Sequence, residues 1–262
     1  MKLPFYKCNG NGNSFIIVLH QNAIKKSIFN KKLIQKLCFD NQKKIDGLVL
    51  INSKNNNIIM DYFNNDGSWE TLCLNGLRCA SLLINSQTSR KKIDILCDNK
   101  LYKTQILKKN MVSVELSEPI YKIKNIKIND LLGDYIDVGA KHFVTQYKNE
   151  WPPLHKIKDI AKKIRYDKSI FPNGINVNFY KVIDSDTIEV KTYEKGVESM
   201  MDSCASGSYA CAFHYLNKNK RFGEIKVHNI GGNFQISFDE KYINNTLIGK
   251  AEIEYNDSIE VN

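Results

Sequence analysis

Two cysteines in this 262-residue chain sit in matched surroundings. Cys73-Leu74-Asn75-Gly76 and Cys204-Ala205-Ser206-Gly207 both read Cys-x-[Asn/Ser]-Gly, and small and apolar residues follow each without proline, which predicts a helix. A cysteine at the start of a helix lies among backbone N–H groups that the helix itself leaves unpaired. Those donors and the helix dipole favour a thiolate and also attract a carboxylate. The glycine lets a ligand come close to the backbone. Two such sites facing one another across a cleft would put a thiol on either side of one bound molecule. The chemistry this suits is the removal of a proton from one face of an α-carbon and its return on the other. One thiolate is the base, the opposed thiol is the acid, and the N–H groups stabilise charge spreading into the carboxylate. No cofactor is required in principle.

The elements that must position these thiols repeat. The leading cysteines are 204 − 73 = 131 residues apart, half of 262. Gly12-Asn13-Ser14-Phe15-Ile16 is echoed by Gly139-Ala140-Lys141-His142-Phe143-Val144, and each cysteine helix carries a second cysteine, Cys79 or Cys211. Short β-branched runs predict strands at Ser14–Leu19, Gly47–Ile51, Asn57–Phe63, Ile93–Cys97 and Val112–Leu116 in the first half. The second half has His142–Tyr147, Asn176–Ile183, Thr187–Tyr193, Glu224–Ile230 and Phe234–Phe238. Helical spacing marks Leu33, Ile34, Leu37 and Cys38, and again Ile157, Ile160, Ala161 and Ile164. Strands outnumber helices without strict βαβ alternation. The reading is α+β, with two pseudo-symmetric domains, each a mixed or antiparallel, barrel-like sheet around a central helix, and the site in the cleft between them. The expected borders are 1–118 and 119–249, with a last strand from about 250 to 262 returning to the first half.

Composition narrows the remaining classes. Lys+Arg number 38 against 28 Asp+Glu, a net charge of +10, but the lysines are scattered in twos and threes with no basic stripe interleaved with aromatics. Nucleic acid is not the expected partner. No apolar run approaches the roughly 20 residues that a bilayer needs, and no signal segment is recognised. Seven cysteines, an odd number with no Cys-x2-Cys pair, argue for reduced thiols in a cytoplasm rather than for a metal cluster or a disulfide framework. Cys8, Cys38, Cys79, Cys97 and Cys211 read as small core hydrophobes. Gly10-Asn11-Gly12 precedes a strand, so it is no dinucleotide fingerprint.

An ordered set of motifs spans almost the whole chain: G-N-G-N-S-F from Gly10, F-N-N-D-G-S from Phe63, C-L-N-G-L-R-C from Cys73, G-I-N-V-N-F from Gly174, Y-E-K-G from Tyr193, C-A-S-G from Cys204, and the Gly pair at Gly231. With both cysteines in register, the set resembles diaminopimelate epimerase, of the cofactor-independent amino-acid epimerases and racemases. The resemblance implies Cys73 and Cys204 as the acid–base pair. Asn13, Asn64 and Asn176 match positions that hold the substrate's polar groups, and His142 and Glu194 match the pair that orients its α-ammonium. Asn75, Gly76, Ala205, Ser206 and Gly207 match the loops that clamp the carboxylate, and Lys195 follows Glu194 at a distal contact. By itself, His142 on a strand reads more often as a structural histidine. The resemblance also implies a homodimer.

Departures from the family pattern do not fall evenly. Leu74 and Ala205 stand where the family has glycine after each cysteine, Ser14 replaces an aspartate, and Gly47 replaces a glutamine. Ala140-Lys141-His142 replaces Asn-Pro-His, Lys195 replaces an arginine, and Val197–Ser203 is one residue longer and lacks the usual Glu-Thr. The thiols are kept, while Ala140 and Lys195 fall where the far end of the substrate would be recognised. The expected reaction is conversion of L,L-diaminopimelate to the meso form, on the route to lysine and peptidoglycan precursors. The alternatives are a racemase of another amino acid, a phenazine-type isomerase lacking the thiols, and a non-enzymatic binding protein.

Overall fold

The computed structural model describes residues 2–20, 28–40, 43–54, 57–128 and 130–260. Contacts divide the chain into unit 1, Met1–Glu115 with Ile248–Asn262, and unit 2, Leu116–Leu247. The borders of the units fall inside the strands Met111–Leu116 and Asn245–Lys250.

Unit 1 starts with the hairpin Lys2–Gly10 and Asn13–His20, whose turn at Asn11-Gly12 takes positive φ. The first strand also pairs antiparallel with Glu252–Glu260, so the last described strand closes back on the first. Positions 261–262 of the expected returning strand lie outside the described residues. Asn13–His20 pairs parallel with Gly47–Lys54, and the crossover between them holds helix α1 (Lys31–Cys38). Asn30 caps α1 by accepting from the Leu33 N–H at 3.0 Å, and Ile34, Leu37 and Cys38 enter the core. Gly47–Lys54 pairs antiparallel with Asn57–Asn64, which runs parallel to Lys92–Cys97. Lys100–Ile106 and Met111–Leu116 complete the order. Helix α2 (Leu74–Thr88) is buried at every residue from Leu74 to Ile84, so it is central rather than amphipathic.

Unit 2 repeats this plan. The strands Leu131–Asp137 and Lys141–Gln146 form the leading hairpin, and Lys141–Gln146 pairs parallel with Asn176–Asp184. The crossover holds α3 (Leu154–Arg165), which buries Ile157, Ala161 and Ile164. Asn176–Asp184 pairs antiparallel with Thr187–Glu194, which runs parallel to Gly223–Asn229, and Gly232–Phe238 follows. Helix α4 (Ala205–Lys218) takes the central place, with all but Ser206 buried from Ala205 to Leu216. The fold is α+β, and its two units are pseudo-symmetric.

Register aligns the halves residue by residue. Phe15 lies opposite Gly47, which lies opposite Asn64. In unit 2, His142 lies opposite Asn176, and the neighbouring pair Val177 and Tyr193 sets Asn176 beside Glu194. A short return strand precedes each cysteine: Trp69–Glu70 against Tyr62 and Phe63, and Ser199–Met201 against Thr192, Tyr193 and Glu194. Neither is among the strands that the sequence predicts. Two or three residues are too few for a periodic signal.

Candidate active site

Cys73 and Cys204 are the N-cap residues of α2 and α4, with nearly the same extended backbone: φ −128° and ψ 109° for Cys73, φ −136° and ψ 108° for Cys204. Each carbonyl accepts the first intrahelical bond, from Leu77 N and Ser208 N, both at 2.8 Å. The N–H groups of the preceding three residues in each helix point toward the cap. Cys73 Sγ takes one of them, the Gly76 N–H, at 3.5 Å. Cys204 Sγ lies 3.5 Å from Ser206 Oγ instead. Cys73 is part-exposed and Cys204 is 7% exposed.

The other five cysteines are buried at 0–1% exposure. Burial pushes the thiols of Cys8, Cys38 and Cys97 up to about 12, and raises those of Cys79 and Cys211 as well. They stay protonated and act as core side chains. Among the described residues there is no disulfide, and no group of three side chains arranged to hold a metal.

Beneath Cys73 lies a polar network that the sequence did not announce. Arg78, one turn into α2, is wholly buried. Its Nη2 donates to Asn75 Oδ1 at 2.8 Å and to Asn11 Oδ1 at 3.1 Å, and its Nη1 donates to Leu74 O at 3.3 Å. Asn75 Nδ2 donates in turn to Asn13 Oδ1, and Asn13 Nδ2 to Asp46 Oδ2 at 3.2 Å. Burial lowers the Arg78 guanidinium to about 10, opposed by attraction to Cys79 and Cys73, so it remains a cation at neutral pH. Asn13, expected to hold substrate, therefore has both ends of its amide bonded within unit 1. A lone arginine in the apolar run L-R-C-A-S-L-L-I was the available signal.

Unit 2 builds its floor differently. His142 is 0% exposed, with Nε2 3.1 Å from Ser206 Oγ and Nδ1 3.0 Å from Asn178 Nδ2. Asn178 Nδ2 also donates to Phe143 O at 3.1 Å, and its Oδ1 accepts from Thr192 Oγ1 at 2.9 Å. Burial pushes the imidazole down to about 3. His142, expected to orient an ammonium directly, is thus enclosed with both ring nitrogens engaged. Asn178 and Thr192 were missed because alternate polar residues on a strand read as its solvent face, whereas here α4 covers them.

The remaining expected residues are placed as follows. Asn64, 3% exposed, ends its strand and donates from Nδ2 to Ser68 Oγ at 3.1 Å. Asn176 ties the start of its strand to the turn after Glu194, donating to Lys141 O at 3.0 Å and accepting from Lys195 N at 2.8 Å. Glu194 ends its strand half-buried, and Lys195 is exposed. In the lengthened segment, Glu198 takes positive φ and is held by Arg165 Nε at 3.1 Å and Nη2 at 2.6 Å. A Cβ on Gly47 would stand 2.6 Å from the Tyr62 ring, so that ring occupies the space a side chain there would need.

The arrangement of paired units with a buried central helix in each is the fold of solved amino-acid epimerase and racemase structures. A probable proline racemase from Agrobacterium radiobacter aligns with TM-score 0.76 at 11% identity, over 99% of this chain and 93% of that one. A hydroxyproline epimerase from Agrobacterium vitis aligns with TM-score 0.76 at 11% identity, over 98% and 92%. A phenazine-biosynthesis family protein from Bacillus anthracis, with TM-score 0.72 at 13% identity, covers 100% of both chains.

Sequence narrows this further. The family model described as diaminopimelate epimerase matches residues 135–253. A diaminopimelate epimerase from Methanocella arvoryzae is 31% identical over 99% of this chain and 98% of its own, and one from Archaeoglobus fulgidus 30% identical over 92% and 91%. The chain belongs to the diaminopimelate epimerase family and is an isomerase.

Proposed function

We propose that the protein epimerises L,L-diaminopimelate to the meso form without pyridoxal phosphate, with Cys73 and Cys204 as its acid–base pair. The observation that carries this reading is the matched placement of the two cysteines as N-caps of buried helices. It stands beside family membership, which supports pyridoxal-independent amino-acid epimerisation.

One thiolate takes the α-proton and becomes a thiol, while the other thiol gives its proton to the opposite face and becomes a thiolate. Turnover thus leaves the pair with its protons exchanged. The negative charge that builds up on the substrate's carboxylate meets the N–H groups of the first helical turns. A second reading, racemisation of another amino acid, is favoured by Ala140 and by the exposed Lys195, which leave the distal contacts unlike the family pattern.

The test is deuterium uptake at Cα in heavy water, with L,L-diaminopimelate and a panel of free amino acids. Exchange into diaminopimelate that drops by a factor of about 10² to 10⁴ in both Cys73→Ser and Cys204→Ser supports the proposal. Exchange confined to another amino acid selects the second reading. No exchange with any of them overturns both.

A further inference from the structure

We infer that Asn178, backed by Thr192, is a positioning residue: it fixes the tautomer of His142 and thereby turns the Ser206 hydroxyl onto the Cys204 sulfur. The inference rests on the proposed acid–base role of Cys204. Phe143 O, a backbone carbonyl, can only accept. The Asn178 amide atom 3.1 Å from it must therefore be the NH₂ group, and the same NH₂ lies 3.0 Å from His142 Nδ1. The other end of the amide accepts from Thr192 Oγ1 at 2.9 Å, which agrees with that orientation.

Nδ1 thus receives a hydrogen bond and carries no proton. A neutral imidazole must then hold its proton on Nε2, which donates to Ser206 Oγ at 3.1 Å. Having accepted that bond, the hydroxyl keeps its own proton for Cys204 Sγ, 3.5 Å away. The imidazole is fully buried and neutral down to about pH 3, so it takes no proton in turnover. The chain acts as a string of fixed dipoles aimed at the thiolate form. When the thiolate gains the substrate proton, only the hydroxyl turns. The helix is fitted closely over this device: a Cβ on Gly207 would stand 2.2 Å from Asn178 Oδ1 and 2.9 Å from Thr192 Oγ1. The positions matching His142, Asn178 and Thr192 in unit 1 are Phe15, Val49 and Tyr62, so the histidine–amide pair is not repeated at those three positions.

The variants are Asn178→Asp, Ser206→Ala and Thr192→Val, each checked for folding by circular dichroism. A carboxylate at position 178 offers Nδ1 an acceptor and calls for the opposite tautomer. Nitrogen-15 spectra of His142 should show Nε2–H in the parent and Nδ1–H in Asn178→Asp. Alkylation by iodoacetamide against pH, resolved by peptide, should show the Cys204 midpoint rising by about one unit in Asn178→Asp and Ser206→Ala, with Cys73 unmoved as the internal control. Turnover should fall about tenfold in both, the worth of one hydrogen bond to a charged group, with less change in KM. Thr192→Val should show a smaller shift of the same sign.

An Nδ1–H tautomer in the parent, or a Cys204 midpoint unmoved in folded Ser206→Ala, overturns the inference. The tautomer and the midpoints are read without turnover. A protein that epimerises nothing would therefore sink the proposed function while these readouts still decided the inference.

Discussion

The floors beneath the two cysteine helices are polar in opposite places. Under Cys73, the strand positions Phe15, Val49 and Tyr62 are apolar or aromatic, and polarity lies along Asn11, Asn13, Asp46, Asn75 and the buried Arg78. Under Cys204, the matching strand positions are His142, Asn178 and Thr192, and polarity lies there. The places that match Asn11, Asn13, Asp46 and Arg78 hold Val138, Ala140, Ile175 and Tyr209. A shared backbone plan therefore sets each sulfur at a helix start, while the surroundings give one a buried cation and the other a neutral dipole chain. The two sulfurs therefore stand in different surroundings. The symmetry belongs to the backbone and the asymmetry to the side chains.

Breaking the unit 1 floor should have the largest effect. Arg78→Met strands two buried amide oxygens, on Asn11 and Asn75, and should cost about 3–5 kcal/mol. Tyr209→Phe at the matching place loses one bond, to Ser117 O at 2.7 Å, and should cost about 1 kcal/mol. Urea unfolding compares them; equal losses would mean that the Arg78 network is not the keystone of its unit.

Acid should act on the other side. Burial depresses both His142 and His214, the latter bonded to Tyr180 Oη and to Asp134 Oδ2, each at 2.9 Å. A histidine held neutral in the fold takes up its proton more readily when unfolded. The stability it lends is complete above about pH 6.5 and is lost as pH falls below that, toward its folded value. For His142 the loss by pH 4 is about 3 kcal/mol. Hydrogen exchange at pH 4.5 should show α4 losing protection before α2; the reverse order would refute the assignment.

The smallest effect contrasts the two glycines. Gly207→Ala drives a Cβ into the Asn178–Thr192 pair and should cost about 2 kcal/mol. Gly76→Ala meets a single close atom, Val49 Cγ2 at 3.1 Å, a contact that a shift of a few tenths of an ångström relieves, and the gain in helix propensity offsets most of that cost. Melting temperatures that fall alike would erase the distinction.

Much of this was legible in the chain. The Cys-x-[Asn/Ser]-Gly repeats announced both helix starts, because a cap is a local device that three or four residues specify. The core cysteines were legible too, since burial follows from an apolar run. The short strands before the cysteines were not, and neither were Asn178, Thr192 and Arg78. A polar residue in an apolar segment has no assigned partner until the segment is packed. His142 shows the limit most clearly: the family resemblance pointed it to the substrate, and the structure places it in the core with Nε2 beside Ser206 Oγ.

By itself the sequence determined the doubled plan, the α+β class, the pair of thiols and the family. Those are properties of local pattern and of repeat. Only the tertiary structure decided which amide faces which ring nitrogen, and hence which proton sits where. The relay draws His142, Asn178, Thr192 and Ser206 from three strands and a helix, and the parallel pairing of Lys141–Gln146 with Asn176–Asp184 brings the first two together. A hydrogen bond holds over about 3 Å, a distance that says nothing of how far apart its partners lie along the chain.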